Sequence, residues 1–204
     1  MPFSPKPLAT LPPRPWGLSR EHRIRLGGLE LIPDLSGALL APDLKSLLVA
    51  DLHLEKASNM ARRGVHLPPY DTRATLALLE AVIAHALPQR LIFLGDSFHD
   101  DGARERIDGT DLAKLREVTE RAETIWITGN HDPRPPSDIG GRIASEVALG
   151  DVTLRHEPSP LAEGEFEIAG HLHPGATVSQ RGKRIRCKCL IGNGQRLVMP
   201  AFGS

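Results

Sequence analysis

Apolar residues recur along the chain with two different periods, and the change from one to the other divides it. From Arg23 to His53 the segments RIRL, LELIP, GALLAP and SLLVADLH are short apolar runs separated by Gly, Pro and Asp. Such runs bounded by turn residues predict short strands joined by tight connections. From Tyr70 the pattern changes. In DTRATLALLEAVIAHAL, Leu76, Leu79, Val82, Ile83 and Leu87 stand three and four apart, the period of an amphipathic helix. RLIFLGD follows as an apolar strand, TDLAKLREVTERA as a second helix and TIWITGNHD as another apolar strand. This alternation argues a parallel sheet buried on both faces. After Gly140 the short strands return as VTLRHE, FEIAGHLH, KRIRCKCLIG and QRLVMP. The expectation is two sheets face to face with helices outside, in one domain over residues 21–204. The first 17 residues hold six of the 18 prolines, which cannot propagate a helix, so residues 1–20 read as an extended arm pinned by Trp16.

Composition narrows the class. A chain of 204 residues with 40% hydrophobic and 25% charged positions has the profile of one ordinary globular domain. No stretch approaches the ~20 apolar residues that span a bilayer, and the N-terminus has no apolar signal core; a cytoplasmic protein without a membrane partner is expected. Cys187 and Cys189 are too close for a disulfide and too few for a structural zinc site. Net charge is zero, which excludes a uniformly basic nucleic-acid domain. The charge is unevenly spread, however. Five cations face only Glu21 in the first 25 residues, and Arg181, Lys183, Arg184, Arg186, Lys188 and Arg196 follow Ala176 with no acid. Solvated tail charge and a phosphate-backbone surface are both open readings.

The candidate chemistry stands at the ends of the apolar runs, where open α/β sheets gather their ligands. SLLVA ends in Asp51 and His53, RLIFLG in Asp96 with His99 three residues on, TIWITG in Asn130-His131-Asp132, VTLR in His156, and FEIAG in His171 and His173. Taken singly, an Asp there is a turn or cap residue. Five coincident endings point to a shared centre. In AGHLHP, residues i and i+2 of an extended strand share a face, so continued strand geometry would aim His171 and His173 at a common point. Imidazoles and carboxylates without thiolate suit manganese, iron or zinc. Seven candidate ligands exceed the three or four of one catalytic zinc. Two divalent ions ~3.5 to 4 Å apart absorb the surplus, with Asp96 as the bridge.

The ordered blocks DLH, GDSFH, GNHD, a lone His and GHLH resemble the signature of the calcineurin-like metallophosphoesterases, over Ser46 to Pro174. Within that superfamily VADLHLEKASNMARRGVHLPPYDT is similar to the hallmark segment of the bacterial DNA ligase-associated metallophosphoesterases. The resemblance implies a four-layer αββα sandwich. It implies Asp51, His53, Asp96 and His173 on a first metal, and Asp96, Asn130, His156 and His171 on a second, manganese being favoured over iron or zinc. It implies His131 as proton donor to the leaving alkoxide, a phosphodiester substrate such as DNA or RNA, DNA ligase or helicase repair partners, and a homodimer.

One block departs from the protein phosphatases of the superfamily, which read GD, two residues, Asp, Arg, Gly. Here GDSFHDDG places His99 at the carboxylate position, Asp100 at the arginine and Asp101 at the glycine. GD-x-F-H is similar instead to the double-strand-break repair nucleases, which makes His99 a second candidate acid; the alternative is that it only supports His131. A monoester dianion needs more positive charge than a diester, so loss of the arginine favours a phosphodiesterase. Arg62 and Arg63 could supply charge from the following loop. The competing readings are a phosphomonoesterase or pyrophosphohydrolase acting on a nucleotide or lipid-sugar conjugate, and a non-catalytic interaction module. His22, His66 and His85 are read as structural.

Overall fold

The computed structural model describes residues 22–65 and 70–203; the proline-rich arm, Trp16 and His66 lie outside the described residues. A meander of β1 (Ile24–Leu26), β2 (Leu29–Pro33) and β3 (Leu39–Ala41) leads antiparallel into β4 (Ser46–Val49). From β4 the sheet continues parallel through β5 (Arg90–Leu94), β6 (Glu123–Ile127) and β7 (Arg142–Ala144), seven strands in chain order. The crossovers contain α1 (Lys56–Arg62), α2 (Asp71–Ala86), α3 (Ala103–Arg106) and α4 (Gly109–Glu120). This is the strand–helix alternation that the sequence predicts.

Period two sorts the central strands between two cores. Leu47, Val49, Leu91, Phe93 and Trp126 face the helices, where they meet Leu76, Leu79, Val82 and Ile83 of α2 and Leu112, Leu115 and Val118 of α4. Leu48, Ile92, Leu94, Ile125 and Ile127 face the other way. Each fully buried side chain of this kind stabilises the fold by roughly 1.5–3 kcal/mol. Trp126 stacks on Phe93 with centroids 4.1 Å apart and donates its indole N–H to Gly140 O at 2.8 Å. Leu87 does not extend the stripe of α2. It is the C-cap, with a left-handed φ of 46°, and is 78% exposed, because the helix stops before Pro88. Asp108 caps α4 by accepting from Thr110 N at 2.9 Å.

The second sheet packs on the inward-facing side of the first. Its strands β8 (Glu146–Leu149), β9 (Val152–Arg155) and β10 (Phe166–Ala169) contribute Leu149, Val152, Leu154 and Ile168 to the shared core. The chain then leaves as a separate hairpin, β11 (Gly175–Gln180) and β12 (Lys183–Lys188), and returns through β13 (Ile191–Gly192) and β14 (Arg196–Val198). The five-stranded order is β13-β14-β10-β9-β8, with β9, β10 and β14 parallel. Two large mixed sheets with helices outside the first are thus the architecture. On the outer face of the second sheet the buried Glu167 pairs with Arg155 at 3.3 Å and Arg196 at 2.6 Å. Arg196 also donates to Ser159 O, so irregular chain, interrupted by Pro158 and Pro160, lies against this face. Arg196 therefore leaves the basic tail for a structural role. Among the described residues no helix is long and apolar enough to cross a membrane.

Candidate metal centre

Beyond their last paired residues, β4 and β5 are still zipped together by backbone bonds. Asp51 N donates to Gly95 O at 3.2 Å, His53 N to Asp96 O at 2.9 Å and Leu54 N to Ser97 O at 2.9 Å. Gly170 N donates to His156 O at 3.0 Å, joining the loops after β9 and β10. Among the described residues nine non-glycine positions have positive φ, and five are Asp51 (54°), His53 (47°), Asp96 (47°), His171 (68°) and His173 (43°). Left-handed backbone at non-glycine residues is uncommon, although Asp and His tolerate it better than most, and its concentration in one place marks a functional constraint. Glycines make the close approach possible. A Cβ on Gly170 would stand 2.6 Å from Asp51 Oδ2, and one on Gly129 would overlap Asp96 Oδ1.

All seven candidate ligands converge, in two groups that share Asp96. In the first, His53 Nε2 stands 3.2 Å from His173 Nε2, and His173 Nε2 3.2 Å from Asp51 Oδ1. In the second, His156 Nε2 and His171 Nδ1 stand 2.9 and 3.0 Å from Asn130 Oδ1 and 3.2 Å from each other. Asp96 Oδ2 lies between the groups, 3.9 Å from His53 Nε2 and 3.3 Å from His156 Nε2. His171 and His173 do not share a target, as an extended AGHLHP would require. The strand ends at Ala169 and the left-handed turns at both histidines send one ring to each group.

The donor set fits divalent cations. Donors at 2.0–2.2 Å on one ion stand about 3 Å apart, the spacing seen within each group. His156 Nδ1 lies 3.0 Å from Leu94 O, so the neutral ring donates there and turns an Nε2 lone pair toward Asn130 Oδ1 and Asp96 Oδ2. Acceptors facing acceptors need a proton or a cation between them. Burial lowers the His156 pKa, but the hydrogen bond and charge of Asp96, then Leu94 O and Asp51, outweigh it, and the net direction is up. His53 behaves oppositely. Desolvation, reinforced by His173, His131 and His99, carries it down to about 3 against the pull of Asp96, so its ring stays neutral and able to ligate. Burial resists ionisation of Asp96, yet His156, the His131 amide and the charge of both imidazoles hold it below the usual carboxylate range.

No protein-family model matches the chain, and no curated protein matches it. Among solved structures it is similar to YfcE, a phosphoesterase from E. coli, at 14% identity and TM-score 0.43 over 78% of this chain and 80% of that one. It is also similar to the nuclease MPE of Pseudomonas putida, at 32% identity and TM-score 0.73 over 90% of this chain and 87% of that one. The chain belongs to the calcineurin-like metallophosphoesterases. It is accordingly a metal-dependent phosphoesterase.

Beside the two groups this metallophosphoesterase has a cavity of about 320 Å³ lined by Asn59, Arg63, His99, Asp100, Asn130 and His131, among others. Arg63 therefore reaches the rim, whereas Arg62 does not line it. His131 Nδ1 lies 2.8 Å from His99 O, which accepts its N–H and leaves Nε2 without a hydrogen bond among the described residues; the rings of His53, His99 and His131 place ligand atoms within 4.8 Å of one another. The His99 ring stacks on His131 with centroids 5.1 Å apart. Desolvation, then His131, lowers its pKa despite Asp100. Its Nδ1 is buried with no hydrogen-bond partner among the described residues. Asp100 pairs with Arg106 at 2.5 Å and Asp101 with Arg134 at 3.0 Å, so the two acids at the departing positions of GDSFHDDG are neutralised locally.

The sequence places Asp132 at the end of TIWITG without a role, and gives no signal for Asn59 or Arg106. The buried Asp132 accepts from Ser97 N at 2.8 Å, Phe98 N at 3.1 Å and Gly129 N at 3.1 Å, clamping the loop after β6 to the loop after β5. Burial, with the charge of Asp96, pushes its pKa up to about 7 against those three donors. Only its place directly after Asn130-His131 could have flagged it.

Proposed function

We propose that the protein is a binuclear phosphodiesterase acting on nucleic acid or a nucleotide-like diester. The observation that carries this reading is Asp96 Oδ2 standing between two imidazole groups, each completed by its own second oxygen ligand. Asp51, His53, Asp96 and His173 would hold one ion, and Asp96, Asn130, His156 and His171 the other. Imidazole and oxygen donors admit manganese, iron or zinc, and the oxygen share of the set, Asp51, Asp96 and Asn130, is why manganese is the ion we favour. Two such ions lower the pKa of water and neutralise charge developing on phosphate.

The chain's own residues do the rest. Asp51 and Asp96 are held by backbone amides of His171 and His131, so neither needs to reorganise during turnover. His131, with Nδ1–H fixed on a carbonyl, would give its Nε2 proton to the leaving alkoxide as the P–O bond breaks, and the same Nδ1 contact serves both charge states. His99 sits in the same cavity; its lowered pKa keeps its ring neutral, which suits a partner that supports His131 rather than a second proton donor. Arg63 would bind a non-bridging phosphate oxygen.

With Asp100 and Asp101 each paired to its own arginine, Arg63 is the cation left to this rim, and a single arginine favours a diester monoanion over a monoester dianion. The nuclease activity named for the Pseudomonas relative and the segment VADLHLEKASNMARRGVHLPPYDT support nucleic acid as substrate. They also support a DNA-repair setting beside a ligase or helicase, in the cytoplasm. The exposed strands of the C-terminal region, β11 to β13, support a homodimer. Rates with manganese on bis(p-nitrophenyl) phosphate and on p-nitrophenyl phosphate test the reading; faster turnover of the monoester would refute it.

A further inference from the structure

Strands β11 and β12 form a ribbon with every residue of both strands exposed, and the ribbon begins two residues after His173. Its turn, Arg181-Gly182, has positive φ at both positions, the geometry of a tight hairpin. The register separates the arginines from the apolar side chains. Thr177 stands opposite Arg186 and Ser179 opposite Arg184 on one face; Val178 stands opposite Ile185 and Ala176 opposite Cys187 on the other, which also carries Gln180 opposite Lys183 next to the turn. Arg181, Lys183, Arg184 and Arg186 make no side-chain ion pair or hydrogen bond among the described residues. At the base, Arg186 lies across Gly175, where a Cβ would stand 3.0 Å from its Nε. It shares a cavity of about 260 Å³ with His173, Pro174 and Ala201. Lys188 donates to Phe202 O at 2.7 Å and Gly203 O at 3.0 Å, and Gly203 N donates to Asp51 O. The ribbon is thereby tied to the loop that carries the first metal group.

Exposed cations protect the edges of ordinary sheets, but that purpose needs no preference for one face. Here the two inner arginines share a face with hydroxyl side chains, and the adjoining centre takes phosphate. We propose that the Thr177, Ser179, Arg184 and Arg186 face of this hairpin is a track for the phosphate backbone of a nucleic-acid strand. It delivers one phosphodiester to the metal centre and makes a polynucleotide, rather than a small diester, the preferred substrate. This rests on the phosphodiesterase reading above. Guanidinium groups and hydroxyls are the usual phosphate-contacting donors, and they read no base, so binding is independent of sequence.

The test is the Arg184→Glu/Arg186→Glu chain, checked for folding by circular dichroism and compared with the wild type and with Ile185→Thr on the opposite face. Affinity for a fluorescent oligonucleotide is measured with EDTA present to stop cleavage, at several salt concentrations. We expect the charge reversal to weaken binding about tenfold or more and to flatten the dependence of log K on log salt by roughly 1 to 2, since each phosphate contact contributes about 0.7–0.9. With manganese, the ratio of oligonucleotide cleavage to bis(p-nitrophenyl) phosphate hydrolysis should fall by a similar factor. The Ile185→Thr chain should bind as the wild type does. Unchanged affinity, an equal loss in Ile185→Thr, or a wild type that hydrolyses the small diester without binding the oligonucleotide each overturns the track. Absence of small-diester hydrolysis in the wild type would instead defeat the phosphodiesterase reading.

Discussion

The backbone N–H of His131 donates to Oδ1 of Asp96 at 2.9 Å, so the loop after β6 holds the carboxylate whose other oxygen faces both imidazole groups. That contact depends on Gly129, where any side chain would occupy the space of Asp96 Oδ1. A Cβ there would also overlap Asp96 N and stand 2.8 Å from Asp132 Oδ1, so Gly129→Ala must part the two loops. It should lower stability and bind manganese at least ~10-fold more weakly, the range in which supports of metal ligands act. Titration calorimetry alongside circular dichroism checks this. Wild-type affinity would show that Asp96 is free to shift at no cost.

His131 reaches the cavity without belonging to either group, and His131→Ala keeps the amide that holds Asp96. Both ions should remain while turnover of a diester falls by ~10²-fold or more, the usual effect of a positioned acid. Metal content and kcat measured on one preparation decide the matter. Loss of metal would make His131 a ligand instead.

Asp132 accepts three backbone N–H groups from two loops, and an amide at this position turns an N–H₂ toward at least one of those donors. Asp132→Asn should cost about 1–3 kcal/mol of stability, as for a buried hydrogen-bonding group left unsatisfied. Denaturant unfolding of the metal-free chain gives the value. An unchanged midpoint would remove Asp132 from the clamp.

Burial holds His53 near pKa 3 in the folded chain against 6.5 for the free side chain. Between those values the unfolded chain binds the extra proton, so the stability owed to neutral His53 is complete above pH 6.5 and is lost as pH falls toward 3. Urea midpoints of the metal-free protein from pH 7 to pH 4 should therefore decline more steeply in the wild type than in His53→Gln. Parallel curves would contradict this.

The elements were legible because β4, β5 and β6 are buried on both faces and bounded by turn residues, and because α2 keeps a helical stripe. Convergence of Asp51, Asp96, Asn130, His156 and His171 could be anticipated from the common ends of parallel strands. What could not be read is backbone conformation. Left-handed φ at His171 and His173 divides two rings that period two would unite. Asp132 looks like any turn residue until its loop meets the one after β5, and Arg62 cannot be told from Arg63 until α1 ends. The basic tail was visible as charge alone. Only strand register separates Arg184 and Arg186 from Ile185, and only the buried Glu167 takes Arg196 out of the set.

Anomalous diffraction from crystals of the manganese-loaded chain tests the binuclear centre most directly. Two peaks ~3.5–4 Å apart should flank Asp96, one among Asp51, His53 and His173 and the other among Asn130, His156 and His171. A single peak, or two that leave Asp96 uncoordinated, would contradict it.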